Sequence, residues 1–463
     1  MQTRFAVALC LAIVALSCTT GPTTRPTARP TRPNILVLLA DDLGVRDSSV
    51  YGSTFYETPN LDRLAAQGMR FTQAYAAGSV CSPTRASLQT GKYPPRTGIT
   101  DFIPGQRPEG TALEVLDSAT ELAASETTIA EAFRSAGYRT FYAGKWHLGR
   151  GEGAPEKHGY DVVLPETGRG IERGRAIVAG AIDFLAQRDP SQPFLAFLSF
   201  YEPHTPIEPY PEHIAHFSAK AEALGAPATP IQEHDGLTRA RQDDAAYGSE
   251  VAGLDDRVGE VLGALDSLDL ARDTIVVFLS DNGGFSTSTA PGPTSNAPLR
   301  AGKGWLYEGG IRIPLVIRAP QAVAPGSTTS APVITTDLYP TLLELAGLPL
   351  RPEQHVDGVS LAPLLRGGIA PTDRPLFWHY PHYHGSTWRP GSAIRIGDWK
   401  LVLLYDYGAV ELYDLARDPG EAHDVSAANP AVVDQLERAL GGLIRETGAI
   451  VPKPRSASPP GGN

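Results

Sequence analysis

Short apolar runs alternate with helical patterns along most of this 463-residue chain, and this alternation is the feature that most constrains its fold. The runs are rich in Val, Ile, Leu and Phe and are too brief for helices, so they predict fully buried strands. Strands that alternate with helices predict an α/β fold with a mostly parallel central sheet flanked by helices. The predicted strands are residues 34–40, 139–143, 194–200, 274–280 and 313–318, and the predicted helices are residues 59–68, 128–137, 175–188 and 245–268.

A second kind of pattern begins after residue 368. Four short apolar segments predict antiparallel strands at residues 377–380, 392–396, 400–405 and 411–413, and a helical pattern follows at residues 430–446. A chain with about 430 residues beyond its N-terminal segment exceeds what one hydrophobic core usually organises. We therefore predict a large α/β domain over residues 33–369, a small α+β domain with an antiparallel sheet over residues 370–452, and a disordered tail over residues 453–463.

The N-terminal segment has the composition of an export signal. Residues 1–18 combine a positively charged start at Arg4, an apolar stretch too short to span a bilayer, and a small-residue cleavage site at Ser17-Cys18. A cysteine at this place is also typical of bacterial lipoproteins, so plain cleavage and lipidation of Cys18 are both open. Residues 19–32 are rich in Thr and Pro and predict an extended tether. We expect an exported protein, either periplasmic or anchored to the envelope as a lipoprotein.

Charge and cysteine content narrow the classes of function. The formal net charge is −11 and there are no basic runs, which argues against nucleic acid as a partner. An anionic substrate would therefore have to be captured by a local cationic pocket. Cys81 is the one cysteine beyond the first eighteen residues, so no disulfide framework is possible. Taken alone, such a thiol is most simply a small buried hydrophobic group.

Polar clusters stand directly after four of the predicted strands. In open parallel sheets, ligands bind outside the carboxyl ends of the strands, so these clusters predict one shared functional edge. Turn formation or helix capping is the alternative for any single cluster, because Asp, Asn and Gly are common in both. The clusters are Asp41-Asp42, Gly144-Lys145-Trp146-His147, Tyr201-Glu202-Pro203-His204 and Asp281-Asn282-Gly283-Gly284.

The residue types in these clusters predict a metal site beside an anion site. Asp41, Asp42, Asp281 and Asn282 offer only oxygen ligands, which suit Ca²⁺ first and Mg²⁺ second and make zinc a poor fit. Pro83 is compatible with the first turn of a helix that begins near Ser82, which would place Cys81 at the positive, anion-binding end of that helix.

Further groups would complete a cation-lined pocket for a small tetrahedral anion. Arg85 lies one helical turn beyond Cys81, and Lys145 and Lys303 add two cations from separate segments. His147 and His204 can move protons near neutral pH. Taken singly, Lys303 is more simply explained as a surface lysine and His204 as an ordinary loop histidine.

One segment resembles the signature of a known family. Cys81-Ser82-Pro83-Thr84-Arg85, together with Thr90-Gly91, is similar to the C-x-P-x-R signature of the sulfatases, in which the cysteine is oxidised after translation to formylglycine. The similarity covers roughly residues 33–420 and implies an alkaline-phosphatase-like large domain with a smaller C-terminal subdomain. It extends to residues 34–44, 144–149, 203–206, 274–284 and 303–314.

The resemblance also implies roles for individual residues. A calcium ion would be bound by Asp41, Asp42, Asp281, Asn282 and the formylglycine made from Cys81 by a maturation enzyme. One hydroxyl of the hydrated aldehyde would attack sulfur while the metal and three cations offset charge on the sulfate oxygens, the cations being Arg85, Lys145 and Lys303. His204 would be the general acid, Asp281 a base, and His147 the partner of the second hydroxyl, whose deprotonation expels sulfate.

The substrate is less constrained than the reaction. His379, His382, His384 and Trp388 belong to a segment dense in groups that stack on sugar faces and donate hydrogen bonds, although plain packing of a small sheet explains them equally simply. Together with export, this segment favours a sulfated carbohydrate. Two other functions stay open: a phosphodiesterase or phosphonate monoester hydrolase on the same scaffold, and a non-catalytic glycan-binding lipoprotein. The sugar, the sulfate position, endo or exo action and the oligomeric state are not determined by these patterns.

Overall fold

The structure is a computed structural model that describes residues 32–369 and 374–455. The predicted signal and most of the predicted tether, at residues 1–31, lie outside the described residues, as do residues 370–373 at the predicted domain boundary. The strands within the described part are β1 Asn34–Ala40, β2 Met69–Tyr75, β3 Arg139–Gly144, β4 Val162–Val163, β5 Phe194–Ser199, β6 Ile231–Glu233, β7 Gly236–Thr238, β8 Thr274–Ser280, β9 Thr287–Ser288, β10 Arg312–Arg318, β11 Ser327–Thr329, β12 Val333–Ile334, β13 Leu376–Tyr380, β14 Gly391–Ile396, β15 Trp399–Leu404 and β16 Ala409–Asp414.

Helices connect and cover these strands. The α-helices of the described residues are α1 Pro59–Gln67, α2 Cys81–Thr90, α3 Pro94–Thr97, α4 Ile129–Ser135, α5 Gly170–Gln187, α6 Ile214–Ala223, α7 Ala245–Ser267, α8 Glu308–Ile311, α9 Leu338–Leu345, α10 Ala362–Leu365 and α11 Pro430–Thr447. None of them is both long enough and apolar enough to cross a membrane.

A mostly parallel sheet forms the centre of the large domain. Its strand order is β11-β2-β10-β8-β1-β5-β3-β4, with β12 pairing to β2. The five strands from β8 to β4 are parallel, and β10 is antiparallel to both of its neighbours. The predicted α/β architecture with a mostly parallel sheet is confirmed.

Both faces of this sheet are buried under helices. Side chains of a strand point alternately to its two faces, so the odd-numbered residues of β1 from Ile35 to Leu39 pack with α2, α4 and α9. The even-numbered residues from Leu36 to Ala40 pack with α1, α5, α6 and α7. Burial on two faces explains why these strands read as continuous apolar runs in the sequence.

The direction of two strands decides which loops reach the functional edge. Because β2 is antiparallel to β10, and β10 is antiparallel to β8, the chain leaves β2 at the same edge as the carboxyl end of β8 and leads there to Cys81. The chain enters β10 at that edge, which brings Lys303 there from the preceding segment. The sequence analysis did not predict β2, because Arg70, Thr72 and Gln73 interrupt its apolar pattern and are only partly buried.

An antiparallel sheet and a helix form the C-terminal part, as predicted. Strands β13 to β16 follow one another in order, and α11 packs against them in a third hydrophobic cluster. The predicted tail begins with residues that have partners: the backbone of Lys453 accepts from Glu114, and Pro454 forms an isolated bridge with Leu113. Residues 456–463 lie outside the described residues.

A buried ion-pair group joins the C-terminal sheet to the large domain. Lys400 of β15 is fully buried, and its Nζ lies 3.0 Å from Oε1 of Glu308 and 2.7 Å from Oε1 of Glu421. Burial raises the pKa of Glu421 to about 7, although the Lys400 ammonium acts to lower it. Removing one partner of a buried ion pair leaves an uncompensated charge in the protein interior.

We therefore expect Lys400→Met to lower the free energy of unfolding by about 3–5 kcal/mol. The measurement is urea denaturation followed by circular dichroism. Lys157→Met is the matched control, because Lys157 is 56% exposed and its pairing with Glu152 at 3.5 Å is solvent-screened. Its effect should stay below about 0.5 kcal/mol. Equal effects of the two substitutions would contradict this prediction.

Candidate active site

Loops that follow four parallel strands meet at one edge of the central sheet. The ligating atoms of Asp41, Asp42, Cys81 and His204 all lie within 4.8 Å of one another. The structure therefore brings together polar clusters that the sequence analysis placed at one edge. Asp41 and Asp42 follow β1, Lys145 and His147 follow β3, His204 follows β5, and Asp281 and Asn282 follow β8.

Cys81 is the first residue of α2, one position earlier than predicted. The residue before it, Val80, has an extended backbone and serves as the N-cap, so the backbone N–H groups of the first turn point toward the cluster. The thiol is buried, with Lys145 Nζ at 3.5 Å from its Sγ. Burial alone would raise the pKa of Cys81, but the ammonium groups of Lys145 and Lys303 outweigh it and hold the pKa well below its usual range. Sγ occupies the position that the oxygens of an oxidised residue 81 would take.

Each carboxylate in the cluster has a cationic partner. Asp41 Oδ2 lies 2.5 Å from Lys145 Nζ, and Asp42 Oδ2 lies 2.8 Å from Lys303 Nζ. Burial acts to raise the pKa of Asp42, yet Lys303 and His204 outweigh it, and the pKa lies below the usual value. Burial disfavours the charged form of a carboxylate, and these adjacent cations oppose that effect.

Arg85 lies behind the carboxylates rather than on the cavity surface. Its Nε and one terminal nitrogen donate to Asp281 Oδ2 at 2.9 and 2.7 Å, and its other terminal nitrogen donates to Ser199 Oγ and the Lys145 carbonyl at 2.6 Å each. The guanidinium also lies 3.5 Å from Asp41 Oδ1. All these partners are its neighbours in the fold, so Arg85 orients Asp281 and does not line the cavity. This placement differs from the predicted contact of Arg85 with sulfate oxygens.

Two buried oxygens without hydrogen-bond partners in the described part of the chain, called orphaned oxygens below, indicate that a cation fits among these residues. Asp41 Oδ1 and Asn282 Oδ1 are buried and have no hydrogen-bond partner among the described residues. Asn282 donates its amide N–H to Asp42 Oδ1 at 2.8 Å, which leaves its oxygen free to act as an acceptor. Buried polar atoms normally have partners, and a set of carboxylate and amide oxygens is what a hard divalent cation binds. The residues present therefore fit such an ion.

The two histidines differ in the nitrogen that each presents to the cluster. The carbonyl oxygen of Ile103 accepts from Nε2 of His147 at 2.5 Å, which leaves Nδ1 as the other ring nitrogen. Nδ1 is buried without a hydrogen-bond partner among the described residues, and the ring acts to lower the pKa of Cys81. His204 donates from Nδ1 to the Thr205 carbonyl, and its Nε2 lies 3.6 Å from Asp42 Oδ2. The Asp42 carboxylate raises the pKa of His204 to about 9 against the opposing effect of burial.

A cavity of about 530 Å³ opens above Cys81. Beyond the polar cluster, aromatic rings and small neutral groups form its walls. Among the predicted site residues, Asp41, Asp42, Cys81, Lys145, His147, His204, Lys303 and His384 line it. Arg85, Asp281 and Asn282 lie beneath this surface. The remaining lining residues are Phe102, Gln106, Tyr201, Thr205, Phe285, Ser288 and Gly385.

Three of the four predicted sugar-binding residues do not reach the cavity. His379 bonds Ser392 Oγ and the Ile450 carbonyl, His382 bonds Thr100 Oγ1, and Trp388 Nε1 donates to the Tyr380 carbonyl. All three side chains are buried, and burial lowers the pKa of His379 to about 4 and that of His382 to about 3. They are packing residues of the C-terminal layer, which corrects the prediction for this segment. His384 alone among the four lies on the cavity surface.

Several residues of the site carried no signal in the sequence. Phe102 and Gln106 come from a long irregular segment between α3 and α4, and Phe285 and Ser288 from the loop after β8. Thr205 lies in residues 203–206, a segment that the sequence analysis had already included together with His204. Aromatic and small polar residues in loops have many uses, so only the folding of these loops over α2 identifies them as cavity walls.

A buried acidic group lies under the loop that carries His204. Glu250 of α7 is 5% exposed, and its Oε2 has no hydrogen-bond partner among the described residues. Burial, followed by the nearby carboxylates of Glu202 and Glu208, raises the pKa of Glu250 to about 9. The protonated form is favoured in the folded state, so the stability from this group is complete below its ordinary pKa of 4.5 and is lost as pH rises toward 9.

We expect Glu250→Gln to weaken this pH dependence. Relative to the wild type, the variant should gain at least about 1 kcal/mol of stability between pH 5 and pH 9, because each unit of pKa shift is worth about 1.4 kcal/mol. Chemical denaturation at both pH values measures the difference. Glu222→Gln, at an exposed position of α6, is the control and should leave the pH dependence unchanged. A constant offset at the two pH values would contradict the assignment.

Comparison with known proteins agrees with this architecture. The sequence profile described as Sulfatase matches residues 33–348, and that of the N-sulphoglucosamine sulphohydrolase C-terminal region matches residues 301–446. Arylsulfatase A of Homo sapiens is 32% identical, with 88% of this chain and 86% of that protein covered. N-acetylgalactosamine-6-sulfatase of Sus scrofa is 33% identical, with 97% and 91% covered. The crystal structure of Ps i-CgsB in complex with k-i-k-neocarrahexaose has a TM-score of 0.74 and 27% identity, covering 89% of this chain and 92% of that one.

The fold and the site together define a hydrolase of the alkaline-phosphatase-like class, with a nucleophile position at a helix N-terminus beside buried carboxylates and cations. The extent of the sequence match narrows this class further. The chain belongs to the sulfatase family and is a sulfatase, an enzyme that hydrolyses sulfate esters.

Proposed function

We propose that this protein is an exported sulfatase that removes sulfate from a carbohydrate, with Cys81 oxidised to formylglycine and with a calcium ion beside it. The observation that carries the proposal is the convergence of Cys81, two lysines, two histidines and the carboxylates on one cavity. No separate position in the cavity offers a nucleophile with the same set of partners among the described residues.

The position of Cys81 suits an oxidised nucleophile. Once hydrated, the aldehyde supplies two hydroxyls, one to attack sulfur and one whose deprotonation releases sulfate. Asp281, held by Arg85, is the base we assign to the attacking hydroxyl, and Nδ1 of His147 is the acceptor we assign to the second one.

Two lysines stabilise the charge on the sulfate oxygens, and one histidine donates the proton to the departing alcohol. Lys145 and Lys303 approach residue 81 from separate loops and offset the charge that develops on the sulfate oxygens. His204 lines the cavity, with its Nε2 3.6 Å from Asp42 Oδ2, so it is placed to protonate the departing alcohol oxygen. With this proton the departing group leaves as a neutral alcohol, and not as an alkoxide, which is a poor leaving group.

Four oxygen-bearing side chains would hold the cation together with residue 81. They are Asp41, Asp42, Asp281 and Asn282, of which Asp41 and Asn282 have the orphaned oxygens. A bound calcium ion would polarise the sulfate group and stabilise the attacking oxygen as an anion. Calcium is preferred to magnesium because the donors are carboxylate and amide oxygens from two loops, without a rigid octahedral cage.

Similar proteins support a carbohydrate as the carrier of the sulfate. N-acetylgalactosamine-6-sulfatase of Sus scrofa takes a sulfated sugar by its name, and the Ps i-CgsB structure contains k-i-k-neocarrahexaose by its description. A carbohydrate polymer is an extracellular material, which agrees with the predicted export signal and with a periplasmic or lipid-anchored location.

The test combines mass spectrometry with turnover. Protein expressed beside a formylglycine-generating enzyme should yield a residue 81 peptide with the mass of the aldehyde, and should release sulfate from sulfated monosaccharides. Aryl phosphate diesters serve as the competing substrates, because a phosphodiesterase or phosphonate hydrolase would use the same groups. An unmodified thiol in active protein, or dominant cleavage of the diesters, would overturn the proposal.

A further inference from the structure

The walls of the active-site cavity carry no ionised side chain beyond the sulfate-binding cluster. Apart from the cluster and His384, seven residues line the cavity, and each has an aromatic, amide or hydroxyl side chain or is glycine. They are Phe102, Gln106, Tyr201, Thr205, Phe285, Ser288 and Gly385. A second sulfate or a carboxylate on the substrate would therefore find no cation on these walls. Placing such a group in a cavity without a partner costs free energy.

His384 does not supply that missing charge. Its Nδ1 accepts the backbone N–H of Ser386 at 3.1 Å, so this nitrogen carries no proton and the ring is neutral. Nε2 has no hydrogen-bond partner among residues 32–369 and 374–455. The ring lines the cavity beside Phe102, with the ring centroids 5.7 Å apart. His384 thus offers a neutral N–H donor, which suits a hydroxyl or carbonyl oxygen.

Two cations that lie outside the walls, Arg107 and Arg173, have partners of their own. Arg107, which follows Gln106 in sequence, is ion-paired with Asp117. The Arg173 guanidinium lies over the Tyr201 ring, with its central carbon 4.1 Å from the ring centroid. The net charge of −11 adds a general repulsion of polyanions.

We propose that the substrate of this site carries a single sulfate on an otherwise uncharged group with an apolar face, such as a neutral pyranose ring. This inference rests on the proposed sulfatase function and narrows its substrate class. Phe102, Tyr201 and Phe285 provide ring surfaces for the apolar face, and His384 bonds a hydroxyl. Sugars with a second sulfate or a carboxylate near the cleaved position are excluded.

The test compares substrates that differ in charge but hardly in the acidity of the departing phenol, because a methylene group separates the carboxyl group from the ring. The 3- and 4-sulfooxyphenylacetates are measured against their methyl esters with the matured, calcium-loaded enzyme. We expect kcat/KM to be at least about tenfold higher for the esters, because a close unpaired charge at a protein surface costs more than a factor of ten in affinity. Equal or faster turnover of the free acids would overturn the inference.

Added cations should reverse the preference. Gln106→Lys and Ser288→Lys each place an ammonium on the cavity wall and should raise the acid-to-ester ratio of kcat/KM at least about threefold. Ala226→Lys, at an exposed position of the segment after α6, adds the same net charge elsewhere and is the control. An unchanged ratio in both wall variants would also overturn the inference. If none of the aryl esters releases sulfate, the proposed sulfatase function itself fails, which is a result distinct from loss of the charge preference.

Discussion

Replacing Cys81 by serine should lower the steady-state release of sulfate at least about 10³-fold, because removal of a catalytic nucleophile typically costs that much or more. The serine hydroxyl is able to attack sulfur, but it brings only one hydroxyl. His147 then has no second hydroxyl from which to accept a proton, and the sulfate ester formed on the serine has no internal route to release. We therefore expect the protein to gain the mass of one SO₃ group and then to stop.

Intact-protein mass spectrometry and sulfate release together measure this outcome. Ser87→Ala is the control on the same helix, because the Ser87 hydroxyl is buried without a hydrogen-bond partner among the described residues and does not line the cavity. That variant should turn over at the wild-type rate within about a factor of two. Continuous turnover by the serine variant would show that the second hydroxyl is dispensable and would contradict the assigned role of His147.

Removing divalent cations should be the next most damaging change. We expect chelation to reduce kcat/KM at least about 10²-fold, because a metal ion contributes several kcal/mol of charge stabilisation in the transition state. Stability should fall as well, since a ligand at about 100 times its Kd adds about 2.7 kcal/mol to the folded state. Oδ1 of Asp41 and Oδ1 of Asn282 would then have neither a metal ion nor a hydrogen-bond partner among the described residues.

Thermal unfolding and activity with calcium, magnesium or zinc restored separately measure both effects. Calcium should restore activity and melting temperature most fully, and zinc least, because all the protein donors are oxygens. Asp281→Asn should abolish most of the calcium-dependent rise in melting temperature. Asp189→Asn, in a surface turn before β5, is the control and should keep that rise. Full activity after chelation, with an unchanged melting temperature, would exclude a structural or catalytic ion.

The strands that were predicted correctly are those whose residues are apolar on both faces of the sheet. Residues 34–40 and 274–280 are apolar throughout, and the structure has strands with the same bounds at β1 and β8. Strand β2 was missed because its partly exposed side chains include Arg70 and Gln73. Partners distant in sequence hold these polar groups: Arg70 donates to the Val50 carbonyl, and Gln73 accepts from Arg395. The sequence pattern within residues 69–75 does not reveal these partners.

The sequence by itself determined the chemistry of this protein, because the identity and order of Cys81, its neighbours and the polar groups after each strand are properties of the chain that folding does not change. Only the tertiary structure decided which of those groups face the cavity. It placed Arg85 beneath the surface and buried His379, His382 and Trp388, while Phe102 and Phe285 became walls. The physical reason is that the exposure of a side chain depends on what packs against it, and here the packing elements come from positions far apart in the chain.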